Sequence, residues 1–272
     1  MGRIEERFGA LRASGRTGLI PFVTAGDPLP DATVAILHAL VEAGADLIEL
    51  GVPFSDPMAD GPVIQHANER ALARGVGLAR IIGWVREFRA RDATTPIVLM
   101  GYLNPIEVHS VGRFAREARE AGVDGVLLVD CPVEEIDAMA AIHDAGLARI
   151  FLAAPTTADD RLGTICAAAE GFLYYVSFAG ITGADRLRMD DVRTRVARIK
   201  RSAKTPVAVG FGVRDAESAA AIGVFADAVV IGSALVDRLA GSKDAAEACA
   251  RAREFLAPIR AALDARAASH VA

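Results

Sequence analysis

Several ingredients are scarce in this 272-residue chain. Cysteine occurs three times, as Cys131, Cys166 and Cys249. An odd, widely spaced set makes neither a disulfide framework nor a metal-binding spacing. Cys131 has no evident histidine partner to activate it, which argues against a thiolate nucleophile. Lysine is as rare: Lys200, Lys204 and Lys243 lie away from the ends of the apolar runs, so Schiff-base chemistry is not expected. The five histidines, His38, His66, His109, His143 and His270, are scattered, mostly over helical patterning, and no metal is expected. No apolar run reaches the roughly 18 residues of a membrane span. Four of the first seven residues are charged, and the segment holds no signal-peptide core. With a net charge of -5 and a pI near 5.6, the chain carries no basic footprint for nucleic acid. A soluble protein of the reducing cytoplasm is the expectation.

Apolar residues are abundant, at 52% of the chain, with mean hydropathy +0.31. They fall into short runs at 19–24, 47–51, 97–101, 125–129, 150–153, 172–177, 207–210 and 228–231. Each run is apolar throughout rather than alternating, as buried parallel strands are. Helical patterning lies between them, for example at 32–43, 78–91, 111–121, 133–145, 161–169, 192–202 and 216–222. Gly44, Gly122 and Gly146 stop helices before the next run, and Pro96 and Pro206 do the same elsewhere. Eight such runs in βα alternation, with no break in composition, predict one (β/α)8 barrel domain over 1–272. A doubly wound sheet would carry a Gly-rich dinucleotide turn after its first strand. Thr24-Ala25-Gly26-Asp27-Pro28 stands there instead. Residues 3–11 read as an extra amino-terminal helix that plugs the barrel bottom, and 257–272 as a fraying tail.

Barrel sites form at the carboxyl ends of the strands. The polar residues there are Thr24 and Asp27, Glu49 with Asp60, Tyr102 and Asn104, Asp130, Tyr174 and Ser177. Glu49 stands out, because a carboxylate inside an apolar strand is costly to bury unless paired or functional. The Gly- and Pro-rich loop after it returns a second acid, Asp60, which fits paired acid/base work. Each has a plainer reading: Glu49 as a loop cap, Asp60 in an Asx turn, Asp130 as loop geometry and Tyr174 as core packing. Gly210-Phe211-Gly212 after the seventh run and Gly232-Ser233 after the eighth lie where this fold binds phosphate. Tight turns are the alternative. Gly180-Ile181-Thr182-Gly183 after the sixth run fits a third phosphate loop or a lid. On the residues alone, the reading is carboxylate acid/base chemistry on a small phosphorylated molecule, by a lyase or isomerase.

The motifs go further. Residues 49–67, ELGVPFSDPMADGPVIQHA, closely resemble the second-loop signature of tryptophan synthase alpha chains. Residues 21–28 (PFVTAGDP), 100–105 (MGYLNP), 129–135 (VDCPVEE), Gly180–Gly183 and the Gly210–Gly212 turn also fit, and the likeness spans about 1–265. The resemblance implies reversible retro-aldol cleavage of indole-3-glycerol phosphate to indole and glyceraldehyde 3-phosphate. It implies Glu49 as general acid/base, Asp60 as acceptor of the indole N–H, and Tyr174 as orienting the Glu49 region. Phe22 and Met100 match the indole walls. Gly183, Gly210, Phe211, Gly212, Gly232 and Ser233 match the phosphate end, and Thr182 matches a loop threonine that contacts the Asp60 loop. Two departures stand out: Phe178 replaces a basic residue common in the sixth loop, and Met100 replaces the more usual Leu.

The family also implies a partner. Alpha chains pair with a pyridoxal-phosphate-dependent beta chain in an alpha2-beta2 complex, and indole passes between them. The cofactor is expected on the beta chain, with none on this one. Asp56, Pro57, Asn104 and Pro132 match the contact surface. Three rival readings are a stand-alone indole-releasing lyase, another phosphate-binding barrel enzyme such as an isomerase of a sugar or anthranilate phosphate, and a catalytically silent activator of a beta chain.

Overall fold

The computed structural model describes residues 2–176, 185–210 and 212–269, without the side chains of 185–188 and 266–269. Expectations for Ser177, Phe178, Gly180, Thr182, Gly183 and Phe211 therefore lie outside the described residues. Eight parallel strands close a barrel in sequence order: β1 (Gly18–Thr24), β2 (Ile48–Gly51), β3 (Ile97–Gly101), β4 (Gly125–Leu128), β5 (Ala148–Ala153), β6 (Leu173–Val176), β7 (Val207–Gly210) and β8 (Ala228–Ile231). The surrounding helices are α1 (Arg3–Ala13), α2 (Thr33–Glu42), α3 (Pro62–Ala73), α4 (Leu78–Arg89), α5 (Leu103–His109), α6 (Val111–Ala121), α7 (Ala140–Asp144), α8 (Asp159–Ala168), α9 (Asp185–Ser202), α10 (Ala216–Gly223), α11 (Ser233–Leu239) and α12 (Ala245–Ser269). The (β/α)8 expectation holds.

Strand alternation divides the apolar residues into two cores. Ile48 and Leu50 point out to the helix layer, where they join Ile36, Leu37 and Leu40. Ile20, Leu47, Val98, Leu127, Ile150, Phe172, Tyr174, Ala208 and Val230 point into the lumen. Ile4, Phe8 and Leu11 of α1 belong to that inner cluster, so the amino-terminal helix plugs the barrel bottom as expected. The expectation for 257–272 is corrected: α12 runs to Ser269, and Ile259 and Leu263 are buried. Arg260 fixes it by donating to Asp46 at 2.9 Å and to the Thr17 carbonyl at 3.1 Å. The segment expected to be one helix at 133–145 is instead a 3-10 turn, Val133–Met139, followed by α7, with a non-helical Glu135 inside the turn.

An acid recurs at the foot of the barrel. Asp46 accepts the Leu19 N–H, Asp124 the Ile97 N–H, Glu170 the Arg149 N–H and Asp227 the Val207 N–H, all at 2.8–2.9 Å. Each satisfies a backbone donor at or near the start of the neighbouring strand. Each also holds a cation: Arg260, Arg89 with Arg3, Arg149 and Lys200, respectively. These clamps set the strand feet, and the register they fix determines what the opposite mouth displays.

Candidate active site

Register brings Glu49 beside Phe22 on one side and Val98 on the other, facing the lumen. It is fully buried, and neither carboxylate oxygen has a hydrogen-bond partner among the described residues. Burial without compensation disfavours the ion, and pushes its pKa up to about 8. Tyr174, on the far wall, is 7% exposed. Its phenol is held well above the usual range, first by burial and then by the charge of Glu49, so the two groups share one low-dielectric space. At neutral pH Glu49 is a protonated acid, and no described residue accepts its proton.

Gly210 makes room for that tyrosine. A Cβ at 210 would overlap the Tyr174 hydroxyl and lie 2.6 Å from Cζ. Gly210→Ala is therefore expected to displace the ring from Glu49 and lower turnover by about tenfold or more. A steady-state assay with a melting curve checks this, since a mutant that melts normally and turns over normally would contradict it.

Asp60 reaches the mouth differently. It is half-buried on the loop after β2, just before α3. The Asn68 amide donates to its carboxylate at 3.3 Å, and the Gln65 amide donates to its carbonyl at 2.8 Å. Tyr102 accepts the Ala59 N–H at 3.0 Å, and its ring lies tilted against Phe54 with centroids 5.0 Å apart. Burial raises the Asp60 carboxyl, while hydrogen bonds from Tyr102 and Asn68 pull the other way. The helix behind the loop is anchored in turn. Arg70 grips the buried Asp27 with two hydrogen bonds of 2.7 and 2.9 Å, and Arg74 donates to the Pro28 carbonyl.

Phe22 and Met100 meet above Glu49 in an apolar cluster with Ala67 and Val236. A Cβ at 51 would lie 2.5 Å from Phe22 Cζ, so Gly51 opens the space this ring fills. At the ends of β7 and β8, Gly212 has φ +81, a conformation that favours glycine, and Gly232 leads into the exposed Ser233 at the start of α11.

The remaining short-listed residues find other places. Asp130 is exposed and accepts the Leu103 N–H at 2.8 Å, fixing the start of α5, which is the plain loop-geometry reading. Thr24 is buried, and its hydroxyl has no partner among the described residues. Asp56, Asn104 and Pro132 are exposed and Pro57 is half-buried. Met58, beside Pro57, is 87% exposed, and Val108 on α5 is 82% exposed. Sequence reasoning did not single out Asn68, whose relevance depends on Asp60 folding back along α3. Among the described residues no cluster of three or more His, Cys, Asp or Glu is arranged to hold a metal. No helix among them is long and apolar enough to cross a membrane.

Comparisons with known proteins give the family of the whole chain. The family model described as tryptophan synthase alpha chain matches residues 8–264. The tryptophan synthase alpha chain of Xylella fastidiosa (strain M12) is 59% identical over 266 residues, covering 97% of this chain and 99% of that one. That of Xanthomonas campestris pv. campestris (strain B100) is 60% identical over 265 residues, covering 97% of each. The crystal structure of tryptophan synthase subunit alpha from Legionella pneumophila str. Paris superposes with a TM-score of 0.90 at 42% identity, covering 97% of this chain and 99% of that one. With a closed eight-stranded barrel, a buried acid at its mouth and full-length identity of this size, the chain belongs to the tryptophan synthase alpha chain family.

Proposed function

We propose that Glu49, Asp60 and Tyr174 carry out the family's reaction here, the reversible cleavage of indole-3-glycerol phosphate to indole and glyceraldehyde 3-phosphate. The observation that carries this reading is the fully buried Glu49, without a hydrogen-bond partner among the described residues and with its pKa pushed up to about 8. Neutral Glu49 gives its proton to indole C3. The ring becomes a cationic indolenine, and the Asp60 carboxylate, accepting the indole N–H, stabilises the charge where it develops. The glutamate, now ionised, takes the proton of the glycerol hydroxyl next to the ring. The carbon–carbon bond then breaks, its electron pair returns to the indole, and the hydroxyl carbon becomes the aldehyde. Glu49 ends neutral, so protons balance over one turnover.

Phe22 and Met100 supply the walls that hold a flat apolar ring above Glu49. The phosphate end is assigned to Gly210, Gly212, Gly232 and Ser233, and to Phe211, Thr182 and Gly183, which lie outside the described residues. Backbone N–H groups near Gly212 and at the start of α11 can approach an anion closely there. None of these steps draws on a cofactor in this chain.

Asp56, Pro57, Asn104 and Pro132 form a docking face for a beta chain, which carries the pyridoxal phosphate. Met58 and Val108, near them in the chain, are the two most exposed large apolar side chains among the described residues, which fits a face that a partner covers. The contact would act on the Asp60 loop directly, since Asp56, Pro57 and Asp60 share it. Purified chain incubated with indole-3-glycerol phosphate should release indole slowly, and release should rise about tenfold or more with a beta chain added. Equal rates with and without the partner would contradict the coupling. No indole under either condition would contradict the reaction.

A further inference from the structure

We infer that Asn68 is a positioning residue for Asp60, a role the family likeness does not assign, and this rests on the proposed part of Asp60 in catalysis. Asn68 is 4% exposed on the second turn of α3, and a buried primary amide needs partners. Its Nδ2 lies 3.3 Å from Asp60 Oδ2. An ionised carboxylate only accepts, so the amide must offer its N–H there. Gln65, nearly one turn earlier, holds the Asp60 carbonyl at 2.8 Å. One helix thus grips both the backbone and the side chain of the residue just ahead of it.

The grip transmits because the helix itself is fixed. The Arg70–Asp27 fork and the Arg74 contact to Pro28 tie α3 to the loop after β1. Tyr102 completes the frame from the end of β3. Its hydroxyl accepts the Ala59 N–H, which leaves its own proton for the Asp60 carboxylate. Among the described residues, Tyr102 and Asn68 are the polar side chains that act on the Asp60 carboxylate, and Asp130 faces Tyr102 from the loop after β4. With no described cation opposite it, Asp60 depends on these two neutral donors to stay ionised and aimed at the mouth. A carboxylate held in place before substrate arrives needs no reorganisation as the indolenine charge forms.

The test compares Asn68→Leu and Asn68→Asp, both close to asparagine in size, with Asp60→Asn in indole release from indole-3-glycerol phosphate. Asn68→Leu removes the donor and should lower kcat about tenfold with KM little changed. It should also move the acid limb of the pH–rate profile upward, because the ionised form of Asp60 loses support. Asn68→Asp sets a like charge against Asp60 and should move that limb further. A residue that merely packs α3 would lower the melting temperature and leave the limb in place. If Asn68→Leu folds poorly, Asn68→Asp, which keeps the polarity, carries the test. Collapse in Asp60→Asn with wild-type kcat and acid limb in both Asn68 variants would overturn the inference. Wild-type turnover in Asp60→Asn would instead remove the reading of Asp60 on which it stands.

Discussion

Glu49→Gln should lower indole release by about a hundredfold to ten-thousandfold, the range that general acid/base groups contribute. The amide keeps the shape of the neutral acid and can neither give the proton to indole C3 nor take one from the glycerol hydroxyl. The same substitution should change stability with a definite sign. Glu49 sits near pKa 8 when folded, against an ordinary value of 4.5. Between those values the unfolded chain has lost the proton that the folded chain keeps. Wild-type stability should therefore fall as pH rises from about 4.5 to about 8, by on the order of a few kcal/mol, and level off above that. The substituted amide does not titrate, so the mutant should gain on the wild type across that window and hold its advantage above it. Melting curves at pH 5, 7 and 9 would show this. A wild-type to mutant gap that stays constant with pH would contradict a neutral, buried Glu49.

The second large effect lies at the opposite end of the barrel. Asp124→Ala should destabilise the fold by about 3–5 kcal/mol, because it leaves a buried arginine without its counter-ion. Arg89 and Asp124 are 9% and 4% exposed at their side chains and meet at 2.8 Å. The change also strips the acceptor from the Ile97 N–H. For a chain of this size the loss corresponds to a fall in melting temperature of roughly 10 °C. Asp227→Ala is the control. The same clamp is built there with Lys200, but the two side chains are 34% and 37% exposed, so about 1 kcal/mol is expected. Similar losses at the two sites would show that burial does not govern these clamps.

The barrel was legible because parallel strands covered on both faces leave unbroken apolar runs, and nearly all its strand positions follow from that. The helices read less evenly. On α3 the buried positions include Ala67, Asn68 and Ala71, too small and too polar to mark an apolar stripe. In the last segment Arg260 looks like a surface charge until Asp46 is seen beneath it. The acids at the strand feet do not stand out in the sequence; their clamp on the neighbouring strand is a tertiary fact. Glu49 was conspicuous as one acid in an apolar strand. Its isolation from every described partner, which sets its proton affinity, depends on the far wall of the lumen. Asn68 was invisible for the same reason: a contact eight residues back along the chain depends on how the loop folds onto its own helix.

The most direct test of the central claim is the pH dependence of single-turnover indole release by the wild-type chain with excess enzyme. A neutral Glu49 as the proton donor predicts a rate that is half lost near pH 8 and continues to fall above it, because the ionised acid has no proton to give. A rate that stays level or climbs from pH 7 to pH 9 would contradict it.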